Sequence, residues 1–205
     1  MKIIAINGSP RKNGNTRQLL EAVLAPLSRD GWETELVQVG GRNIHGCRAC
    51  YKCFEKKDRQ CTFKDDDFNP IFEKLRAADA ILVGSSTYFA DVTPETKALI
   101  DRAGFVSMAN GGLLAGKVGA GVVAVRRGGA MHAVDSINHL FLISQMIIPG
   151  STYWNMGFGL EPGEVAADDM GLANMTHLGR AIDWLGKALK ATAEPYPVRK
   201  EGEEA

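Results

Sequence analysis

The chain has 205 residues, 45% of them apolar, and its 24 lysines and arginines balance 24 aspartates and glutamates to a formal net charge of zero. That length suits one sizeable domain with its own core and is short for two, and the charge balance leaves no overall field to draw in nucleic acid or a membrane surface. No apolar stretch approaches the roughly 20 residues needed to cross a bilayer, and Lys2-Ile3-Ile4-Ala5-Ile6 is too short for a signal-peptide core, so a cytoplasmic protein is expected.

Taken in chain order, the apolar run up to Ile6 ends in Asn7-Gly8 and reads as a buried strand entering a turn. From Thr16, Leu19, Leu20, Val23, Leu24 and Leu27 recur at helical spacing, with Gly31 as the stop. Glu35 to Val39 is a second strand. The polar, cysteine-rich segment from Gly40 to Asp67 is expected to be a long functional loop. Phe68 to Ala77 is predicted helical, with Asp65-Asp66-Asp67 as a carboxylate signal at its start. Ala80 to Gly84 is a third strand, and Thr93 and Pro94 read as the cap and first turn of the next helix. Val118 to Val125 is a fourth strand, leading into Arg126-Arg127-Gly128-Gly129. A helix over Met131 to Met146, a fifth strand over Ile147 to Tyr153 and a helix over Asp169 to Leu189 complete the domain, 1–193. Residues 194–205 read as a flexible charged tail. The alternation predicts an α/β fold, a doubly wound five-stranded parallel sheet between two helical layers.

In such a sheet, ligands sit beyond the carboxyl ends of the strands where the strand order reverses. Three loops of unusual chemistry leave strand ends here: Ser9 to Thr16, Ser85 to Val92, and Arg126 to Ala130. The first feeds a helix N-terminus, whose free N–H groups and dipole favour an anion. Ser9 and Thr16 add hydroxyls, Asn15 an amide and Arg11 a guanidinium suited to phosphate. Gly14 is followed by Asn15-Thr16, which departs from the Walker A sequence. The dinucleotide fingerprint is also missing after strand one. Four cysteines, spaced Cys47-x2-Cys50-x2-Cys53-x7-Cys61, leave metal binding, redox chemistry and plain burial open. His45, His132, His139 and His177 are scattered, without the pairing of a helical zinc site.

Gly8-Ser9-Pro10-Arg11 through Gly14-Asn15-Thr16 resembles the FMN phosphate loop of the NAD(P)H-dependent FMN reductase superfamily, flavodoxin-like proteins that include quinone reductases and iron–sulfur flavoproteins. The likeness continues through Asp79 to Phe89 and Lys97 to Arg102, and covers roughly residues 1–150. It implies that Ser9, Arg11, Asn15 and Thr16 hold the ribityl phosphate, with Asn13 in the same cofactor-binding loop. Ser85, Ser86, Thr87, Tyr88 and Phe89 would line the isoalloxazine, and Arg127 and Gly128 would belong to a third wall. The cysteine spacing resembles the compact motif that holds a [4Fe–4S] cluster in the iron–sulfur flavoproteins. Structural zinc and free or redox-active thiols such as Cys50 and Cys53 are the other two readings.

The expected function is an FMN oxidoreductase with NAD(P)H as co-substrate, exchanging electrons with small donors and acceptors. The resemblance further implies a homodimer or homotetramer, and Tyr153-Trp154-Asn155 suggests either a cover for the flavin or a subunit contact. Two alternatives stand beside this reading. One is an iron–sulfur flavoprotein acting as an electron-transfer module with ferredoxin-like partners, and the other is a non-catalytic binding protein that keeps the fold.

Overall fold

The computed structural model describes residues 1–198. Five strands, β1 (Lys2–Asn7), β2 (Glu33–Gln38), β3 (Ala80–Ser86), β4 (Val118–Val125) and β5 (Met156–Phe158), form one sheet in the order β2-β1-β3-β4-β5. Every pairing is parallel. The strand order reverses between β1 and β3, so the crevice expected of this topology opens above those two strands.

The sheet is covered on both faces, which explains why β1, β3 and β4 are nearly continuous apolar runs. On one face Ile3, Ala5, Leu82 and Val122 pack against α1 (Asn15–Arg29) and α6 (Asp169–Ala191). On the other, Ile4, Ile6, Val83 and Val123 meet α3 (Phe68–Ala77), α4 (Pro94–Ala109) and α5 (Ala130–Ile143). Each fully buried aliphatic side chain contributes about 1.5–3 kcal/mol by leaving water, so the two cores hold the three layers together. The expected three-layer α/β/α architecture is therefore present, with nearly the expected boundaries for β1, α1, α3, β3, β4 and α6.

Three expectations are corrected. The fifth strand does not run over Ile147 to Tyr153. Ile147 makes only an isolated parallel bridge to Val118, and Pro149, which has no N–H to donate, stops the ladder. The chain then leaves the edge and returns as Met156–Phe158 beside Val123–Val125. The long loop also contains a short helix, α2 (Lys52–Lys56), and a 3-10 turn, Glu164–Ala167, precedes α6. Finally, the Thr93 hydroxyl does not cap α4. It donates to Gly8 O at 2.7 Å and accepts from the Thr96 hydroxyl at 2.8 Å, which fastens α4 to the loop after β1.

Of the expected tail, Tyr196 packs over Gly116, and residues 199–205 lie outside the described residues. No helix among the described residues is long and apolar enough to cross a membrane.

Candidate functional site

The loop after β1 is held from below by buried side chains. Asn7, fully buried, donates to Lys12 O and to Gln38 Oε1, and accepts from Ser9 N. Gln38 in turn donates to Ser9 O and Gly40 O, both at 2.7 Å. Gly8 is required where the chain turns. A Cβ there would stand 1.9 Å from Thr96 Oγ1 and 2.8 Å from Gly84 O. The shape of the loop is thus set by contacts within the chain.

Above it lies a cleft lined by Ser9, Arg11, Asn15, Thr16, Ser86, Thr87, Tyr88, Ala124, Arg126, Gly159 and Leu160. The first helical hydrogen bond of α1 runs from Gln18 N to Gly14 O, so the N–H groups of Asn15, Thr16 and Arg17 precede the helical ladder at its positive end. The hydroxyls of Thr16 and Ser86 are buried without a partner. Buried polar groups are hydrogen-bonded in the great majority of cases, so two unpaired hydroxyls in one cleft fit a ligand carrying acceptors. With Arg11 on the rim, the donor set suits a phosphate.

A shallower depression continues from the cleft, lined by Thr87, Phe89, Ala90, Val125, Arg126, Arg127 and Gly128. Thr87 and Arg126 belong to both. The turn from Tyr88 to Asp91 is closed by reciprocal backbone hydrogen bonds. Its tip residues Phe89 and Ala90 have φ of 47° and 65°, a left-handed strain of the kind stored at binding sites, and Phe89 is fully exposed.

Most residues expected at the flavin site come together, with two differences. Ser85 lies behind the cleft, fully buried, its Oγ donating to Ser86 O and accepting from Thr93 N. Asn13 is exposed and accepts from Arg17 Nη1. Asn15 reaches the cleft, but its side chain is already committed. It donates to Glu161 O at 3.0 Å and accepts from Gly163 N and Val165 N. It ties the segment after β5 to the phosphate loop, and Arg11 Nη1 adds a bond to Leu160 O at 2.6 Å. No local signal in the sequence marks this 159–165 segment, Gln38 or the Asn7 side chain as part of the site. Backbone N–H groups of Leu160 and Glu161 hold the Glu164 carboxyl below its ordinary range, which fixes the same segment.

The four cysteines line a second, apolar cavity together with Thr62, Phe63, Arg102 and Phe105. None is in a disulfide. Ala49 and Tyr51 have φ of 48° and 53°, so the backbone between the first three cysteines is folded tightly around the cavity. The aromatic rings of Tyr51 and Phe54 pack edge-on against Phe105 of α4.

From α4 as well, Arg102, 1% exposed, pairs with the fully buried Asp66 carboxylate. It also donates to His45 O and Phe63 O, and its guanidinium lies 4.1 Å from the centroid of Phe68. Asp66 accepts from His45 N and Phe68 N. Burial alone would raise its carboxyl, but Arg102 and these N–H groups outweigh that and hold it below the usual range.

Burial pushes the Cys53 thiol up, and Cys61 and Cys47 add to the effect. A bound cation would reverse that balance, because coordinated thiols lose their proton. No three cysteines, histidines or carboxylates among the described residues stand close enough to share a single metal ion. The thiols of a multi-iron cluster stand further apart than those around one ion.

The 2-1-3-4-5 sheet and the cleft at its switch point define a flavodoxin-like fold with its ligand site where such folds bind. Residues 1–161 match the model of the NADPH-dependent FMN reductase family, and the chain belongs to that family. Among curated proteins, it is similar to an iron–sulfur flavoprotein of Methanocaldococcus jannaschii, with 35% identity over 93% of this chain and 100% of that one. An iron–sulfur flavoprotein of Methanosarcina thermophila is 33% identical over 89% of this chain and 93% of its own. Among solved structures, an NAD(P)H:quinone oxidoreductase from Methanothermobacter marburgensis superposes with TM-score 0.64 at 14% identity, covering 89% of this chain and 97% of the other. An archaeal flavodoxin gives TM-score 0.57 at 19% identity, covering 93% and 99%. These structures share the fold.

Proposed function

We propose that the cleft is the FMN site, that NAD(P)H is the hydride donor, and that quinone-type or small electron-carrying acceptors take the electrons. The observation that carries this reading is the gathering of unpaired donors in one cleft: the Thr16 and Ser86 hydroxyls and the N–H groups opening α1. The phosphate is assigned to these N–H groups, to the hydroxyls of Ser9 and Thr16, and to Arg11. The isoalloxazine is assigned to the stretch from Ser86 to Phe89, with the Arg126–Gly128 loop opposite. When bound, FMN supplies both hydride and single-electron chemistry. The residues around it bind and orient the ring, and the exposed depression beside Phe89 leaves room for a nicotinamide to stack. Phe89 and Tyr88, both exposed on that rim, support a homodimer or homotetramer in which a neighbouring subunit closes over the ring.

A second reading is favoured by the cysteine cavity. In it, Cys47, Cys50, Cys53 and Cys61 hold a [4Fe–4S] cluster, and the protein passes single electrons to and from ferredoxin-like partners. The names of the relatives support it, as does the single cavity lined by four thiols.

An absorption spectrum with iron and sulfide assays, on protein purified without oxygen, tests both. Flavin bands with NAD(P)H turnover and no iron establish the first reading. Flavin bands with about four irons per chain, as a four-cysteine cubane requires, and exchange with ferredoxin establish the second. Colourless protein with no affinity for FMN refutes both.

A further inference from the structure

Three buried side-chain oxygens among the described residues lack a hydrogen-bond partner: Thr16 Oγ1, Ser86 Oγ and Thr62 Oγ1. The first two line the cleft assigned to FMN. The third belongs to a residue that lines the four-cysteine cavity. We propose that the Thr62 hydroxyl donates a hydrogen bond to a sulfur of a [4Fe–4S] cluster held there, and so sets its reduction potential. The proposal rests on the reading that the four thiolates hold such a cluster.

The surroundings of Thr62 are fixed on both sides. Before it, Cys61 N donates to Asn69 Oδ1 at 2.8 Å, and Asn69 Nδ2 donates back to Cys61 O at 2.9 Å. After it, Phe63 O accepts from Arg102 Nη2 at 3.0 Å. Asn69 belongs to α3 and Arg102 to α4, so two helices clamp the backbone that carries Thr62. A hydroxyl on so well-held a segment would ordinarily find a partner. Among the other side chains lining the cavity, Arg48 and Arg102 can only donate, Phe63, Phe105, Val106 and Ala49 offer no acceptor, and Tyr51 is exposed. The four cysteine sulfurs are the remaining side-chain acceptors.

A hydrogen bond to sulfur stabilises the reduced, more negative state of a cluster more than the oxidised one, and therefore raises its potential. T62V keeps the shape and removes the donor, whereas T62S keeps the donor. The test is a spectroelectrochemical titration of anaerobic protein carrying iron and sulfide, following cluster and flavin bands separately. The expected result for T62V is a cluster potential lowered by about 59 mV, equivalent to tenfold in the reduced-to-oxidised ratio for one electron. T62S should stay near wild type, and the flavin potential should not move in either variant. If T62V does not retain iron, T62A against T62S makes the same comparison. Equal cluster potentials in the iron-loaded donor and non-donor forms overturn the proposal while leaving the cluster in place. Wild-type protein that takes up no iron on anaerobic reconstitution overturns the cluster reading itself, and the role of Thr62 falls with it.

Discussion

Arg102 is the cation on which the cysteine segment hangs, so replacing it with methionine is the sharpest test of how that segment is held. The substitution preserves much of the apolar volume against Phe68 and removes every donor. It leaves the Asp66 carboxylate buried without its partner and strips hydrogen bonds from His45 O and Phe63 O. Breaking one side of a buried pair costs about 3–5 kcal/mol, a large share of the roughly 5–15 kcal/mol that holds a domain folded.

The loss should depend on pH. In the wild type the Asp66 carboxyl is held below its unfolded value. Its contribution is therefore present above about pH 4 and fades as pH falls through the lower, folded value. In Arg102→Met the His45 and Phe68 N–H groups remain but the guanidinium is gone. Burial, the largest influence on this carboxyl, is then expected to raise it above its unfolded value. The variant then loses stability as pH rises from about 4 toward neutrality. Urea unfolding at pH 5 and pH 7 measures this, with the gap from wild type wider at pH 7. The half-buried Cys53 and Cys61 should also react faster with a thiol reagent, while the exposed Cys47 and Cys50 change little. A loss under about 1 kcal/mol, the scale of an exposed pair, or a gap independent of pH, would refute the argument.

Other consequences of the structure can be checked alongside. Asn15→Ala frees the 159–165 segment from three hydrogen bonds. It should lower stability by about 2 kcal/mol and weaken FMN about tenfold, read by urea unfolding and flavin fluorescence. Gly8→Ala forces a carbon against Gly84 O and should cost about 1–3 kcal/mol, with FMN affinity falling in the same protein. Cys50→Ser should lower the iron content of anaerobically purified protein and leave the flavin bands intact, because the two cavities share no lining residue.

The parts of this fold that the sequence reveals are those dictated by local chemistry. The strands β1, β3 and β4 are buried on both faces, so each shows as an apolar run. The glycines, hydroxyls and arginine of the phosphate loop are contiguous from Gly8 to Thr16. What stayed hidden depends on contacts across the chain. Asn15 reads as a phosphate ligand until its side chain is seen holding residues nearly 150 positions away. Asp66 reads as a helix-start carboxylate, and it does accept from Phe68 N, but its pairing with Arg102 has no local signature. The three-residue β5 is too short to show a period, and Ile147-Ile148 before Pro149 offered a more apolar stretch. Helix α2 has only five residues in a charged loop and shows no apolar stripe.

The central claim is that the cleft above β1 and β3 binds FMN by its phosphate. Titrating flavin-free protein with FMN and with riboflavin, which lacks only that phosphate, tests this directly by flavin fluorescence. FMN should bind more tightly by well over tenfold, that is by more than about 1.4 kcal/mol, and Thr16→Val should narrow the gap by weakening FMN alone. Equal affinities for the two flavins, or a gap untouched by Thr16→Val, would contradict it.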